Sequence, residues 1–446
     1  MNIIIAGDGE VGLHLAESLV NSNHNITIVD PHEDLLKMIE THADLMTING
    51  DSTSISVLQR ANVRKADLLI SVVHDEHINL MTCILAKKLG AKKVIARVNT
   101  MENLSLQNRQ IYQELGIDAL ISPEDIAAQE IISLLKQSAA TEVFDFSDGK
   151  LQLFMIKLEQ TAPVIDKTLN DIAAEFKNLD FRAVAIHRNR TTFIPRGDDR
   201  FEAGDLAYVI TKPEAIEQLL ELGGKVEHDI HNVMIIGGGR VGRITAKRLE
   251  KEMNIKLLEK DKDRCMVLTD YLEDTLIVNG DSRNIQLLED EDIRSMDAFI
   301  AVTNNTETNI LTCLHARMNG VKKTIALVEN IDYIDISQNI GIDTIINKKL
   351  IAASYMVRYT MGTEVLNLKC LSGIEADALE MIARPGSPIT KKPLNKLNVP
   401  EGSIIGGIVR DEKAYIATAD FQVQDNDKVV VFVLPYAIHK VEKLFH

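Results

Sequence analysis

A glycine-rich hexapeptide occurs twice in this chain, in register with a series of other matched residues. Gly7-Asp8-Gly9-Glu10-Val11-Gly12 returns as Gly237-Gly238-Gly239-Arg240-Val241-Gly242, an offset of 230 (237 minus 7). At the same offset Gly50-Asp51-Ser52 matches Gly280-Asp281-Ser282, Asp67 matches Asp297, Asn79 matches Asn309 and Gly90 matches Gly320. One coincidence would mean little; several in register mean duplication, so the chain holds two copies of one folding plan.

Within the first copy, short β-branched runs alternate with amphipathic stretches. The runs are Ile3 to Ala6, Ile26 to Asp30, Leu45 to Ile48, Leu68 to Val73, Val94 to Val98 and Ala119 to Ile121. This βαβ alternation predicts a parallel sheet covered by helices. Segments 142–226 and 364–446 instead show strand-like alternation and more turn signals, as in Leu151-Gln152-Leu153-Phe154-Met155-Ile156. Each has a turn before its last strand-like run, Phe201 to Asp205 and Val423 to Asp427, offset by 222 (427 minus 205). The expected class is therefore α/β: two Rossmann-type, doubly wound parallel-sheet domains, each followed by a small α+β domain. The expected spans are 1–138, 142–226, 230–360 and 364–446, in keeping with roughly three or four domains for a chain of 446 residues.

A lone GxGxxG is a weak signal, but each copy here follows a strand and opens a helix, with an acidic residue at the end of the next strand. In such a loop Gly7 and Gly237 make the tight turn, Gly9 and Gly239 admit a pyrophosphate to the main chain, and Gly12 and Gly242 let helix pack on strand. Amide N-H groups of Glu10, Val11, Arg240 and Val241 at the helix starts would then hold phosphate. Asp30, 18 residues past Gly12, and Glu259 in the second copy are placed to accept hydrogen bonds from ribose hydroxyls. A carboxylate there repels a 2'-phosphate and favours NAD(H) or an adenine nucleotide such as ATP or ADP over NADP. The alternative is a Rossmann domain that keeps its glycines for packing alone.

The two copies differ in their cations. Arg97 ends the fifth strand of the first, where it would reach phosphates or else pair with a surface carboxylate, and Leu327 stands there in the second. Arg240 lies in the second glycine loop where the first has Glu10.

Other functions find less support. The balance of 49 Lys plus Arg against 65 Asp plus Glu gives a net charge of −16, which repels nucleic-acid backbones. No run approaches the roughly 20 apolar residues of a membrane span, and Met1 leads straight into a strand, so a cytosolic location is expected. Cys83, Cys265, Cys313 and Cys370 form no Cys-x-x-Cys pair and read as reduced packing residues rather than metal or redox sites. Histidines 14, 24, 32, 42, 74 and 77 crowd the first domain without metal-ligand spacing, and only His74, after the fourth strand, would sit near a cofactor crevice. Tyr208 with Lys212 and Tyr436 with Lys440 have the Tyr-x-x-x-Lys spacing of some dehydrogenases but lie far in sequence from either glycine loop. No nucleotide-hydrolysing signature is present. Binding without turnover, and no enzyme, is the expectation.

These residues together resemble the tandem RCK (KTN) domain family of regulators of potassium conductance. The resemblance rests on the duplicated loop, the Gly-Asp-Ser after each third strand, Asp75 to Asn79, Asn304 to Asn309 and Ala96-Arg97-Val98, and it covers essentially the whole chain. It implies a nucleotide-binding regulatory subunit, peripheral on the cytoplasmic face of the cell membrane. Such a subunit would assemble as a homo-oligomeric ring, a tetramer of tandem domains, on a Trk-type potassium-translocating membrane subunit and gate it in response to NAD(H) or ATP/ADP. By the resemblance, Asp51 and Ser52 lie near the adenine, Val73 and His74 near the ribose and phosphates, and Arg97 on the phosphates. Glu259, Asp281, Ser282, Val302 and Thr303 take these roles in the second domain. The alternatives are a regulator of another cation channel or antiporter, or an NAD-dependent oxidoreductase.

Overall fold

A computed structural model of the chain describes residues 1–7, 10–20, 24–34, 36–37, 45–136, 142–176, 180–188, 191–224, 229–330, 332–360, 365–371 and 376–446. The first glycine loop opens a six-stranded sheet of β1 (Asn2–Ala6), β2 (Asn25–Asp30), β3 (Met46–Asn49), β4 (Leu68–Ser71), β5 (Lys93–Arg97) and β6 (Ala119–Ile121). Helices α1 (Glu10–Val20), α2 (Ile55–Arg60), α3 (Glu76–Leu89), α4 (Leu106–Glu114) and α5 (Pro123–Lys136) are interleaved. Strand order is β3-β2-β1-β4-β5-β6 and every neighbour pair is parallel. The connections reverse direction between β1 and β4, and a crevice opens there at the strand C-termini, where Rossmann sheets take their ligands. All of β4 is buried, as a strand covered on both faces should be.

An antiparallel sheet follows, of β7 (Glu142–Phe146), β8 (Leu151–Lys157), β9 (Phe181–Arg188), β10 (Thr191–Phe193) and β11 (Leu206–Thr211), in the order β10-β9-β11-β8-β7. Helices α6 (Leu169–Glu175) and α7 (Ile216–Leu222) accompany it. The second Rossmann sheet comprises β12 (Asn232–Ile236), β13 (Asn254–Glu259), β14 (Leu276–Asn279), β15 (Ala298–Ala301), β16 (Lys323–Leu327) and β17 (Thr344–Ile346), ordered β14-β13-β12-β15-β16-β17. Its helices are α8 (Arg240–Leu249), α9 (Lys262–Tyr271), α10 (Ile285–Asp290), α11 (Thr306–Met318), α12 (Asp332–Asn339) and α13 (Lys348–Val357). The duplication extends to register: Ile3 pairs with Leu68 as Val233 pairs with Ala298, each 230 apart. The last sheet, of β18 (Val365–Cys370), β19 (Asp377–Ile382), β20 (Ser403–Arg410), β21 (Lys413–Ile416) and β22 (Lys428–Val433), has the order β18-β19-β22-β20-β21, and α14 (Ile438–Phe445) closes the chain.

In the two small domains the turns seen in the sequence hold matching ion pairs. Asp205 is buried and accepts from Arg188 Nε and Nη2, both at 2.7 Å, and from the Glu202 amide at 2.8 Å. Asp427 repeats this with Arg410 Nε at 2.9 Å, Nη2 at 2.8 Å and the Gln424 amide at 2.7 Å. The two antiparallel sheets share one core in which Phe144, Phe146, Tyr208, Val430 and Phe432 are buried together.

The chain divides into two compact units, Met1–Ile126 with Lys348–Gly362, and Ala127–Asn347 with Thr363–His446. In the first unit α13 lies against α1, and its Ala352 and Met356 are buried with Ile3, Ile5, Leu15 and Leu19. In the second, α5 lies beside α8: Lys136 pairs with Glu252 at 2.9 Å and Arg248 bonds Gln129 at 3.3 Å. No helix among the described residues is long and apolar enough to cross a membrane.

Candidate functional site

Strand β12 passes into α8 through Gly237, Gly238 and Gly239. Gly237 has φ +101°, and a Cβ there would stand 2.9 Å from the Val302 and Thr303 main chain. A Cβ on Gly242 would meet the Gly237 carbonyl oxygen at 2.0 Å, so the first turn of α8 packs directly on the loop. Gly239 faces open space. The first copy has the same geometry at Gly7, φ +112°, and at Gly12, 2.0 Å from the Gly7 oxygen. Asp8 and Gly9 lie outside the described residues, and Glu10 is described only as the first residue of α1.

The second crevice encloses about 350 Å³, lined among others by Gly237, Gly239, Glu259, Asp281, Ser282, Val302 and Thr303. Seven residues expected from the sequence therefore converge. The Glu259 carboxylate is buried; Oε2 accepts from the Gly238 amide at 2.8 Å and Oε1 from the Asp261 amide at 2.9 Å. It is thereby fixed at the end of β13, its edge turned to the crevice that it lines. Asp281 is gripped by Arg283, with Nη2 at 2.5 Å and Nε at 3.0 Å, and the guanidinium holds its carboxyl down at about 2. Lys260, Arg264 and Arg283, which sequence reasoning did not single out, also line the crevice, as do Asn304, Asn305 and Thr308 of the matched stretch. Arg264 is 3.4 Å from Glu259 and Arg283 is bound to Asp281, so two cations stand beside the crevice carboxylates. Their signal was available: a basic residue close after each crevice carboxylate. Arg240 itself begins α8 at an exposed position and does not line the crevice, Val241 and Gly242 being buried behind it.

In the first copy Asp30 is buried at the end of β2 and accepts from the His32 amide at 2.9 Å and from His32 Nδ1 at 2.7 Å. His32, at the surface with its side chain 69% exposed, is thus a partner of the ribose-binding candidate. Asp51 accepts from the Thr53 amide and hydroxyl, both at 2.8 Å, while the buried Ser52 hydroxyl is 2.9 Å from that of Thr82. Val73 lies just past β4, and exposed His74 follows. Strand β4 is shorter than the run to Val73 suggested, because after Val72 bonds to the Ala6 carbonyl the Val73 amide turns to the side chain of Asn79. Arg97 ends β5 as expected but faces Glu124 at the start of α5, Nη2 to Oε1 3.4 Å, with Arg97 Nε and Glu124 Oε2 both buried and unbonded. The carboxylate is not a surface one: the Glu124 side chain is only 6% exposed.

Asn79 and Asn309 acquire a role that matched letters could not disclose. Asn309 Oδ1 accepts from the Thr303 amide at 3.0 Å and hydroxyl at 2.6 Å, while Nδ2 donates to the carbonyls of Thr303 at 3.0 Å and Leu327 at 2.8 Å. Asn79 likewise ties Val73 to the Arg97 carbonyl. Each amide therefore clamps two strand ends across the crevice floor. Tyr208, by contrast, is buried in the shared small-domain core, and Lys212 pairs with Asp180 at 2.5 Å. Tyr436 lies exposed in the turn before α14 rather than in that helix. Cys83, Cys265 and Cys313 are free and buried, and burial raises all three thiols above their usual range.

The family model described as the TrkA-N domain matches residues 3–123 and again 233–348, and that of the TrkA-C domain matches 153–223 and 379–446. The chain is 32% identical to the Trk system potassium uptake protein TrkA of Halomonas elongata over all of this chain and 98% of that one. It is 33% identical to a TrkA homolog of Methanosarcina mazei and 33% to one of Archaeoglobus fulgidus, over the full length of both partners in each case. Among solved structures, the GsuK RCK domain superposes with a TM-score of 0.63 at 17% identity, over 99% of this chain and 94% of that one. The GsuK channel bound to NAD superposes equally well, at 17% identity over all of this chain and 78% of that one.

Proposed function

The chain belongs to the TrkA family of potassium-uptake proteins, and on that premise we propose that it is a nucleotide-binding regulatory subunit that assembles on and gates a Trk-type membrane potassium transporter in response to NAD(H) or ATP/ADP. The observation that carries this reading is the second crevice: about 350 Å³, open at Gly239, with the Glu259 carboxylate fixed by two amides at its edge. That is an arrangement for holding a ribose and a phosphate, and among the described residues that line the crevice no nucleophile is paired with a base. The GsuK structures bound to NAD and to ADP share the fold and support a nucleotide there.

In this reading Asp30 and Glu259 take ribose hydroxyls, the two glycine loops take phosphates, and Asp51, Ser52, Asp281 and Ser282 flank the base. Arg97 would meet phosphates by giving up its contact with Glu124, which at 3.4 Å and with an unbonded Nε is a weak one to lose. The spans 1–138, 142–226, 230–360 and 364–446 are proposed as the domains, in a homo-oligomeric ring on the cytoplasmic side of the membrane. Regulation then requires only that nucleotide bind the two ring conformations unequally, typically by about 1–3 kcal/mol.

Calorimetric titration of ATP, ADP, NAD and NADH tests the site. Gly239→Val should remove one class of binding events and Asp30→Ala weaken another; unaltered titrations in both variants would refute the assignment. Co-purification with a potassium transporter whose uptake responds to the same nucleotide tests the partner. If Arg240 reads a terminal phosphate from the exposed start of α8, Arg240→Ala should narrow the difference between ATP and ADP affinity, and an undiminished difference would exclude it.

A further inference from the structure

The positive charge of the second crevice stands on the wrong flank for a pyrophosphate. Lys260, Arg264 and Arg283 line it, all three shortly after the ends of β13 and β14, beside Glu259 and Asp281 and not on the glycine loop. Arg264, half exposed, brings Nη1 to 3.4 Å from Glu259 Oε2, and its side chain has no other described hydrogen bond. Arg283 commits Nε and Nη2 to Asp281 and leaves Nη1 without a described acceptor. Lys260 is exposed, and no carboxylate pairs with it among the described residues. Three cations therefore flank two carboxylates, and each cation keeps N-H groups to offer.

The duplication shows that the fold does not ask for these cations. Asp30 and Glu259 are 229 apart (259 minus 30), and the same offset carries Lys260 onto Pro31 and Arg264 onto Leu35. At the offset of 230 that matches Asp281 with Asp51, Arg283 falls on Thr53. The first copy keeps both carboxylates but has no lysine or arginine at any of these positions. Its Asp51 is satisfied by the Thr53 amide and hydroxyl instead. The cations are an addition to the second crevice alone, on the side where the nucleotide reading puts the ribose.

Resting on that reading, we propose that the second crevice selects adenine nucleotides that carry a phosphate on the ribose 2'-hydroxyl, as NADP(H) does, with Arg264 and Arg283 as the residues that determine the selection and Lys260 in support. A carboxylate by itself turns such a phosphate away, whereas an arginine nearby accommodates it. Here the local charge is net positive, and each guanidinium can present N-H donors to a phosphate dianion. The first crevice, with Asp30 and Asp51 and no such cation, keeps the preference for an unphosphorylated ribose. The two copies then respond to two different pools of nucleotide.

The test is calorimetric titration of the full-length protein with 2',5'-ADP and with 5'-AMP, which differ only in the ribose phosphate, repeated with NADPH and NADH. At the second crevice the 2'-phosphorylated member of each pair should bind at least about tenfold more tightly, the worth of one charge-assisted contact. Gly239→Val should abolish that binding. Arg264→Gln and Arg283→Thr should each weaken 2',5'-ADP by about tenfold and leave 5'-AMP within about threefold. The two side chains are 46% and 71% exposed, so both variants should fold. Equal affinity for the members of each pair, or a preference unchanged in both arginine variants, would overturn the proposal and leave the nucleotide reading in place. Binding of all four ligands unaltered by Gly239→Val and by Asp30→Ala would overturn that reading as well.

Discussion

Asn309 sits where four polar groups of two strand ends need partners, and it satisfies all four with one side-chain amide. Truncation would strand buried carbonyls, which costs about 2–3 kcal/mol. Asn309→Ala should therefore lower thermal stability by several degrees and loosen the crevice floor, and an unchanged melting temperature would show that water replaces the amide. Glu76, at the start of α3, offers a pH test. Burial opposes its charge, but the amides of Asn99 and Thr100, the Asn103 side chain and the Thr100 hydroxyl outweigh that and hold its pKa below the ordinary value. A depressed carboxyl stabilises the fold above its unfolded pKa of about 4.3 and loses that contribution as pH falls through the lower folded value. The stability gap between the native protein and Glu76→Gln should be widest near neutrality and close as the solution is acidified. A gap that stays constant with pH would mean that the carboxylate's charge contributes nothing.

At the scale of elements, the duplicated Rossmann sheets show how repeating pattern becomes repeating register: apolar runs buried on both faces have one satisfactory alignment, so the β1–β4 and β12–β15 pairings coincide residue for residue. The small sheets are held instead at their last turn, where Asp205 and Asp427 accept a forked guanidinium beneath the closing strand. Removing the carboxylate takes the forked partner from a partly buried arginine, Arg188 keeping only its pair with Glu202 at 2.5 Å, a loss of about 3 kcal/mol. Asp205→Ala and Asp427→Ala should each lower the urea midpoint to a similar extent. A large effect from only one of them would show that the two turns are not equivalent in energy.

At the scale of the whole molecule, the repeat invites the view that each half of the sequence is self-sufficient. The core of the first compact unit argues otherwise, because Ala352 and Met356 of α13 fill space between Leu15, Leu19 and Ile5. A fragment of residues 1–226 should consequently be poorly soluble or bind a hydrophobic dye, and fusing 348–360 to it should restore a cooperative melt. A well-behaved 1–226 fragment would show that the helix adds little. The same result would settle whether the domain spans proposed from the sequence are also units of stability.

The amino-acid sequence by itself determined what local periodicity and repetition can encode. Two parallel sheets, two smaller α+β domains, the loops with glycine at their first and third positions, and the carboxylates Asp30 and Glu259 at the next strand ends were all legible. These depend on steric demands within a few residues or on a pattern copied along the chain. Only the tertiary structure decided which partner each polar group meets. Arg97 faces a buried Glu124, His32 turns to Asp30, Arg264 and Arg283 join the second crevice, and α13 completes the core of a sheet more than two hundred residues away in sequence. The reason is physical: a side chain's partners are fixed by distance in space, and no periodicity along the chain records which distant segment supplies them.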